Sequence, residues 1–166
     1  MEKIKIDNIK TFSTDAVLTD IKEKLFDKNE IPFLVVGSLA LQESGFDVIP
    51  NDIDIEAICT EEQENILSIL SASCGNDYYE NDYEDSEAEK RMENVTWKHK
   101  PFIFQWQEFS INVWAVEKFS HPYFLNEEGI KFAKPLSVLK KKMAYGRTKD
   151  QKTFANIVKQ VVNINK

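Results

Sequence analysis

The feature that most constrains the fold is a short strand pattern that carries acids at alternate positions. Residues 51–58 read Asn-Asp-Ile-Asp-Ile-Glu-Ala-Ile. In a β-strand alternate side chains share one face, so Asp52, Asp54 and Glu56 point to one side and the isoleucines to the other. Crowded carboxylates repel one another unless a cation neutralises them, and their oxygens are ligands that suit Mg²⁺ or Mn²⁺. The pattern therefore predicts a half-buried strand with a candidate metal site.

A strand–turn–helix pattern precedes these acids. The apolar run at residues 31–36 ends at Gly37-Ser38, and Leu-Ala-Leu-Gln follows. We predict a buried strand over residues 33–36, a tight Gly-Ser turn, and a short helix over residues 39–43 whose N-terminal end presents free amides to an anion. Taken alone, Gly-Ser favours an ordinary tight turn without this role. An aspartate pair alone favours a solvated strand edge, because so short a motif arises readily by chance. Its position directly after this unit favours a functional site.

These residues resemble the signature of the DNA polymerase β-like nucleotidyltransferase superfamily. The resemblance is narrower to its small single-domain members, near the lincosamide nucleotidyltransferases and abortive-infection toxin components. Residues 135–150, Pro-Leu-Ser-Val-Leu-Lys-Lys-Lys-Met-Ala-Tyr-Gly-Arg-Thr-Lys-Asp, are similar to a Lys-Leu-Ala-x-Gly-Arg-x-Lys-Asp segment of that subgroup. The resemblance covers the chain from about Ile31 to Val162. It implies a single α/β (α+β) domain, a mixed β-sheet with helices packed against it.

The resemblance also implies a reaction and a site. Asp52 and Asp54 would hold Mg²⁺ or Mn²⁺, and the domain would transfer a nucleoside monophosphate from a nucleoside triphosphate to a hydroxyl acceptor. The acceptor cannot be identified from the sequence. The residues expected to bind the nucleotide are Gly37, Ser38, Lys142, Arg147 and Lys149.

The sequence departs from the family at the third carboxylate of the site. Active members carry an acid on a later strand, and the equivalent position in the pattern at residues 109–116 is Asn112. An amide oxygen ligates a metal weakly and accepts no proton at neutral pH. Glu108 and Glu56 remain alternatives for the missing acid. Asn112 therefore leaves two hypotheses open: an active enzyme, or a degenerate fold that binds a nucleotide or a protein partner without turnover.

Composition limits the other function classes. The length of 166 residues and hydrophobic content of 42% suit one globular domain. A net charge of −7 argues against broad nucleic-acid binding. Cys59 and Cys74 have no zinc or disulfide spacing. No run is long enough to cross a membrane, and the N-terminus has no apolar signal core, so a cytoplasmic location is expected.

A metal-dependent glycosyltransferase that uses Asp-x-Asp to hold a sugar nucleotide is a third hypothesis. The upstream Gly-Ser turn and the short chain weigh against it. The histidines, His99 and His121, are isolated in the sequence and are interpreted as structural or exposed. The acidic segment 77–93 is interpreted as a solvated loop.

The remaining patterns predict elements around the site. Helices are expected over residues 14–29, 60–71 and 135–145, and from Thr148 to near the C-terminus. Strands are expected near residues 94–99, 102–106, 109–116 and 129–133. In the last two helices the side chains expected to be buried are Leu136, Leu139, Met143, Phe154, Ile157, Val158 and Val161.

Overall fold

A computed structural model describes residues 16–73, 101–106 and 109–164 of the chain. Glu108, Cys74, His99, the acidic segment 77–93 and the strand expected at 94–99 lie outside the described residues. Within these ranges the expected architecture is confirmed, because five helices accompany a six-stranded mixed sheet. No helix in these ranges combines the length and the apolar character needed to cross a membrane.

The strands follow the sequence patterns closely. Their bounds are β1 Phe33–Val36, β2 Ile53–Ile58, β3 Phe102–Trp106, β4 Phe109–Val116, β5 Tyr123–Leu125 and β6 Lys131–Ala133. All four residues of β1 are buried, as a continuous apolar run covered on both faces requires. The strand β5 was not expected from the sequence, and β6 is shorter than the expected 129–133 strand.

The helices lie between and after these strands. The first, α1, is α-helical over residues 16–21 and continues as a π-helix over Lys22–Asp27. The others are α2 Gly37–Glu43, α3 Glu61–Ser73, α4 Pro135–Tyr145 and α5 Thr148–Ile164. A capping box starts α3. The backbone N–H of Gln63 donates to Thr60 Oγ1 at 3.2 Å, and the backbone N–H of Thr60 donates to Gln63 Oε1 at 2.9 Å.

The strand order β3-β4-β2-β1-β6-β5 determines which residues become neighbours. Strands β1 and β2 are antiparallel and pair Val36 with Asp54, so the end of β1 meets the start of β2. Strands β2 and β4 are parallel and pair Asp54 with Asn112. Residues of β1, β2 and β4 therefore come together in the middle of the strand order, at the edge of the sheet where β1 ends and β2 begins.

A left-handed glycine joins the last two helices. Gly146 ends α4 with φ of +64°, and its N–H donates to the Lys142 carbonyl oxygen at 3.1 Å. This conformation is favourable for glycine and costly for other residues. The turn brings the first residues of α5 back beside the last turn of α4.

The expectation for the buried faces of α4 and α5 was partly wrong. Ile157 is buried, but Leu136, Met143, Val158 and Val161 are exposed. On α4 the buried apolar residue is Val138 instead. On α4 the polar residues Ser137 and Lys142 also have partners, His121 and Ser38, and apolar spacing alone does not indicate such contacts.

Candidate functional site at the edge of the central sheet

Gly37 leaves space for the carboxylate of Asp54. Its φ is +69°, and a Cβ at this position would lie 2.8 Å from Asp54 Oδ2. Both facts require glycine, because a side chain here would be strained and would collide with the carboxylate. The sequence suggested a phosphate-binding role for Gly37 at a helix N-terminus. With seven residues, α2 is short for such a role, and the close approach of Asp54 is the feature that the structure adds.

Asn112 lies between the two aspartates. Its side-chain Nδ2 donates to Asp54 Oδ1 at 3.1 Å and to Asp52 Oδ2 at 3.3 Å. An ionised carboxylate accepts hydrogen bonds and donates none, so the amide nitrogen is the atom that must face the pair. The structure thus brings together the three residues that the sequence assigned to the centre of the site.

The other end of the same amide is unsatisfied. Asn112 is 2% exposed, and its Oδ1 has no hydrogen-bond partner among the described residues. A buried acceptor without a partner costs about 1–3 kcal/mol. The Asn112 amide therefore donates to both acids while its own oxygen is left without a hydrogen bond.

The environment makes the charge of Asp54 unfavourable. Burial raises the pKa of its carboxyl above the usual range, and the nearby charge of Asp52 raises it further. The hydrogen bond from Asn112 and the charges of Lys142 and Lys149 act in the opposite direction. Burial is the largest of these effects, so the ionised carboxylate pair would be stabilised by an additional positive charge.

A cationic group lies on the α2 side of the acids. Lys142 Nζ donates to Ser38 Oγ at 3.3 Å and lies 3.7 Å from Asp150 Oδ1. Burial lowers the pKa of this lysine, while the charges of Asp150 and Asp54 raise it. An ammonium group and a hydroxyl are thus held together next to the aspartates.

Asp150 organises this group, although it was not among the residues expected to bind the nucleotide. It is 1% exposed and accepts two hydrogen bonds from Arg147, from Nε at 2.7 Å and from Nη2 at 3.3 Å. A buried carboxylate that binds both a guanidinium and an ammonium fixes the position of each. The spacing of three residues between Arg147 and Asp150 at a helix start was the available signal.

The basic residues of α4 divide between two locations. Lys142 faces the site, whereas Lys140 is exposed. Lys141 is influenced by the charge of Glu56, which raises its pKa against the larger lowering effect of burial. Among the residues proposed for nucleotide binding, the structure therefore brings Lys142 close to Ser38, with Arg147 and Lys149 near them.

Glu56 is engaged elsewhere, although it follows Asp54 on the same strand face. Its Oε1 accepts the Ser120 amide at 2.9 Å, and its Oε2 accepts the Ser120 hydroxyl. Both oxygens are used and the residue is buried. Glu56 is thus poorly placed to replace the missing acid, and Glu108 lies outside the described residues.

His121 matches the structural interpretation. It is buried, and its Nδ1 shares a 2.6 Å hydrogen bond with Ser137 Oγ. Burial lowers its pKa from 6.5 to about 4, with a smaller contribution from the charge of Lys141. The ring is therefore neutral at physiological pH.

The donor set at Asp52, Asp54 and Asn112 fits a hard divalent cation. Two carboxylates and an amide oxygen are ligands of the type that Mg²⁺ prefers, and Asn112 Oδ1 is a buried acceptor without a partner among the residues described. Within the same part of the chain no group of three or more His, Cys, Asp or Glu side chains is placed to hold a metal. The remaining ligands would come from water or from a bound phosphate.

Comparisons with protein-family models, curated proteins and solved structures gave no match. The site is therefore interpreted from its own geometry.

Proposed function

We propose that this domain is a Mg²⁺-dependent nucleotidyltransferase that binds a nucleoside triphosphate and transfers its nucleoside monophosphate to a hydroxyl acceptor. The observation that carries the proposal is the pairing of Asp54 with Asn112 across β2 and β4, with Asp52 beside them. The Lys142–Ser38 pair supports it, because an ammonium and a hydroxyl suit phosphate oxygens. A cytoplasmic location accords with a triphosphate substrate.

The residues have separable roles in this proposal. Asp52 and Asp54 hold the cation, with Mn²⁺ as a substitute for Mg²⁺. Lys142 and Ser38 contact the distal phosphates, and Asp150 keeps Lys142 and Arg147 in position. When bound, the cation polarises the α-phosphate and favours the ionised acceptor.

The transfer exchanges one phosphorus–oxygen bond for another. The acceptor oxygen forms a bond to the α-phosphorus, the bond from that phosphorus to the β-phosphate oxygen breaks, and pyrophosphate leaves. The acceptor proton must go to a base. The described residues offer no carboxylate on β4, and a general base contributes about a hundred- to ten-thousand-fold in rate. Slow transfer is therefore expected.

Asn112 also favours a second candidate function, a nucleotide- or protein-binding module without turnover. Its Nδ2 bridges the acids where an active family member would present a third carboxylate. In that case the site binds a metal–nucleotide and no pyrophosphate is released.

Calorimetric titration with each of the four common nucleoside triphosphates, with and without Mg²⁺, tests the binding proposal. Pyrophosphate release in the presence of candidate hydroxyl acceptors then separates the enzyme from the binding module. Lys142→Met should weaken triphosphate binding by about tenfold, near 1.4 kcal/mol, because a charge-assisted contact is lost. Lys140→Met, at an exposed neighbouring lysine, is the matched control and should bind like the wild type. Absence of any Mg²⁺-dependent triphosphate binding would refute the enzyme and the nucleotide-binding module, and would leave only the protein-binding module.

A further inference from the structure

The position of the Asn112 amide bears on how a cation reaches the site. Its Nδ2 donates to both carboxylates at once, at 3.1 and 3.3 Å, so it already supplies positive partial charge between them. A cation that uses these oxygens must first displace two hydrogen bonds to charged acceptors. Such bonds are stronger than those between neutral groups.

The orphaned oxygen of the same amide indicates a second orientation. Oδ1 is buried and has no partner among the described residues. Rotation of the amide would turn this oxygen towards the carboxylates, which is favourable only when a cation lies there to accept three oxygen ligands. One side chain thus fits a cation-free site in one orientation and a cation-bound site in the other.

We propose that Asn112 is a positioning residue that closes the site to a free divalent cation and opens it to a cation already bound to a triphosphate. The inference rests on the proposed function, because it concerns how the same site takes its metal–nucleotide complex. A free cation gains only the ligands around the two acids. A cation carried by a triphosphate brings phosphate oxygens that also contact Lys142 and Ser38, and these contacts offset the lost hydrogen bonds.

The side-chain amide of Asn112 reports directly on this exchange. Its ¹⁵N–¹H resonances, assigned as the pair missing from Asn112→Ala, should stay in place when Mg²⁺ alone is added. They should shift when Mg²⁺ and inorganic triphosphate are added together. Inorganic triphosphate avoids any dependence on the nucleobase, and the measurement requires no turnover.

Asn112→Ala determines whether the amide obstructs a free cation or merely ligates it. We expect this variant to bind Mg²⁺ alone about tenfold more tightly than the wild type in calorimetry, because no hydrogen bonds to the carboxylates have to be broken. Weaker binding of Mg²⁺ alone by Asn112→Ala would overturn the inference, since Asn112 would then be a simple ligand. Asn112→Asp should bind Mg²⁺ more tightly on either account and serves as the positive control.

The two failures are distinguishable. If Mg²⁺ alone shifts the wild-type Asn112 resonances, the gating inference is wrong while the metal site of the proposed function remains. If neither Mg²⁺ nor Mg²⁺ with triphosphate shifts them, the proposed function fails and the inference falls with it. The titration itself uses the wild-type chain, and if Asn112→Ala does not fold, the resonance pair missing from Asn112→Asp gives the same assignment, because a carboxylate carries no amide protons.

Discussion

Asp54 and Glu56 lie two residues apart on the same face of β2, yet their surroundings differ in kind. Glu56 has both oxygens occupied by Ser120 and a lysine charge nearby. Asp54 shares one amide with Asp52, and burial raises its pKa. An acid whose two oxygens both accept hydrogen bonds from the protein is held in place, whereas two acids that share one amide donor retain acceptor capacity for a ligand.

The largest expected effect comes from Asp54→Asn. Loss of the carboxylate should weaken Mg²⁺-dependent triphosphate binding by more than about a thousandfold, near 4 kcal/mol. The thermal midpoint should stay the same or rise, because an ionised Asp54 with a raised pKa destabilises the folded state at neutral pH. Asp52→Asn should behave alike. Asp27→Asn, at a surface acid paired with Lys22, is the control, and unchanged binding in both site variants would refute the role assigned to the acids.

The stability of the folded protein should depend on pH through His121, which, like Glu56, lies near the charge of Lys141. The pKa of His121 is lowered to about 4 in the folded state from an ordinary value of 6.5, so the unfolded chain binds a proton at a higher pH than the folded chain. Unfolding is therefore favoured as the pH falls from 6.5 towards 4, by up to about 3 kcal/mol. Urea unfolding across this range should show a smaller loss for His121→Asn than for the wild type. An equal loss in His121→Asn and in the wild type would contradict the role assigned to His121.

Glu56→Gln tests whether the second acid is structural. The substitution keeps one carbonyl acceptor but removes the charge and one acceptor for Ser120, so we expect about 2 kcal/mol lower stability. Triphosphate affinity should remain within about threefold of the wild type, which is less than about 1 kcal/mol. Denaturant unfolding and calorimetry measure the two quantities separately. A large loss of affinity in a protein of normal stability would place Glu56 in the site and refute the distinction between Glu56 and Asp54.

Gly37→Ala should lower stability less than Glu56→Gln does, and it should also disturb the position of the Asp54 carboxylate. A left-handed backbone costs a non-glycine residue about 1–2 kcal/mol, and the new Cβ would meet Asp54 Oδ2 at 2.8 Å. Unfolding and Mg²⁺-dependent binding should therefore both weaken. Gly129→Ala also has a positive φ but nothing within 4 Å of its Cβ, so it should lose stability and keep binding. Equal binding by both variants would show that the close approach is unimportant.

Local patterns were enough to predict the strands that carry the site. The apolar run predicted β1, and the alternation at residues 51–58 predicted β2, which forms over Ile53–Ile58 and leaves Asp52 in the bend before the strand. The adjacency of Asp54 and Asn112, expected from the family resemblance, also occurs. The strands depend on periodicity, which is a local property of the sequence, whereas their pairing was implied only by the resemblance.

The partners of individual polar atoms could not be predicted in this way. Glu56 meets Ser120 across 64 positions, and Lys142 meets Ser38 across 104. Such contacts depend on how loops and helices pack, and no local spacing indicates them. The same limitation explains the error in the buried face of α4, where polar residues have interior partners that the apolar pattern did not reveal.

The parallel pairing of β2 with β4 has a consequence for the order of events during folding. Asn112 and Asp54 are 58 positions apart, so their contact closes a long loop and forms late compared with local helices. While the chain emerges from the ribosome, both acids precede the amide that bridges them. We therefore expect the two acids to lack their shared hydrogen-bond donor until β4 joins the sheet, and the appearance of the proposed triphosphate binding over time would follow this stage of folding.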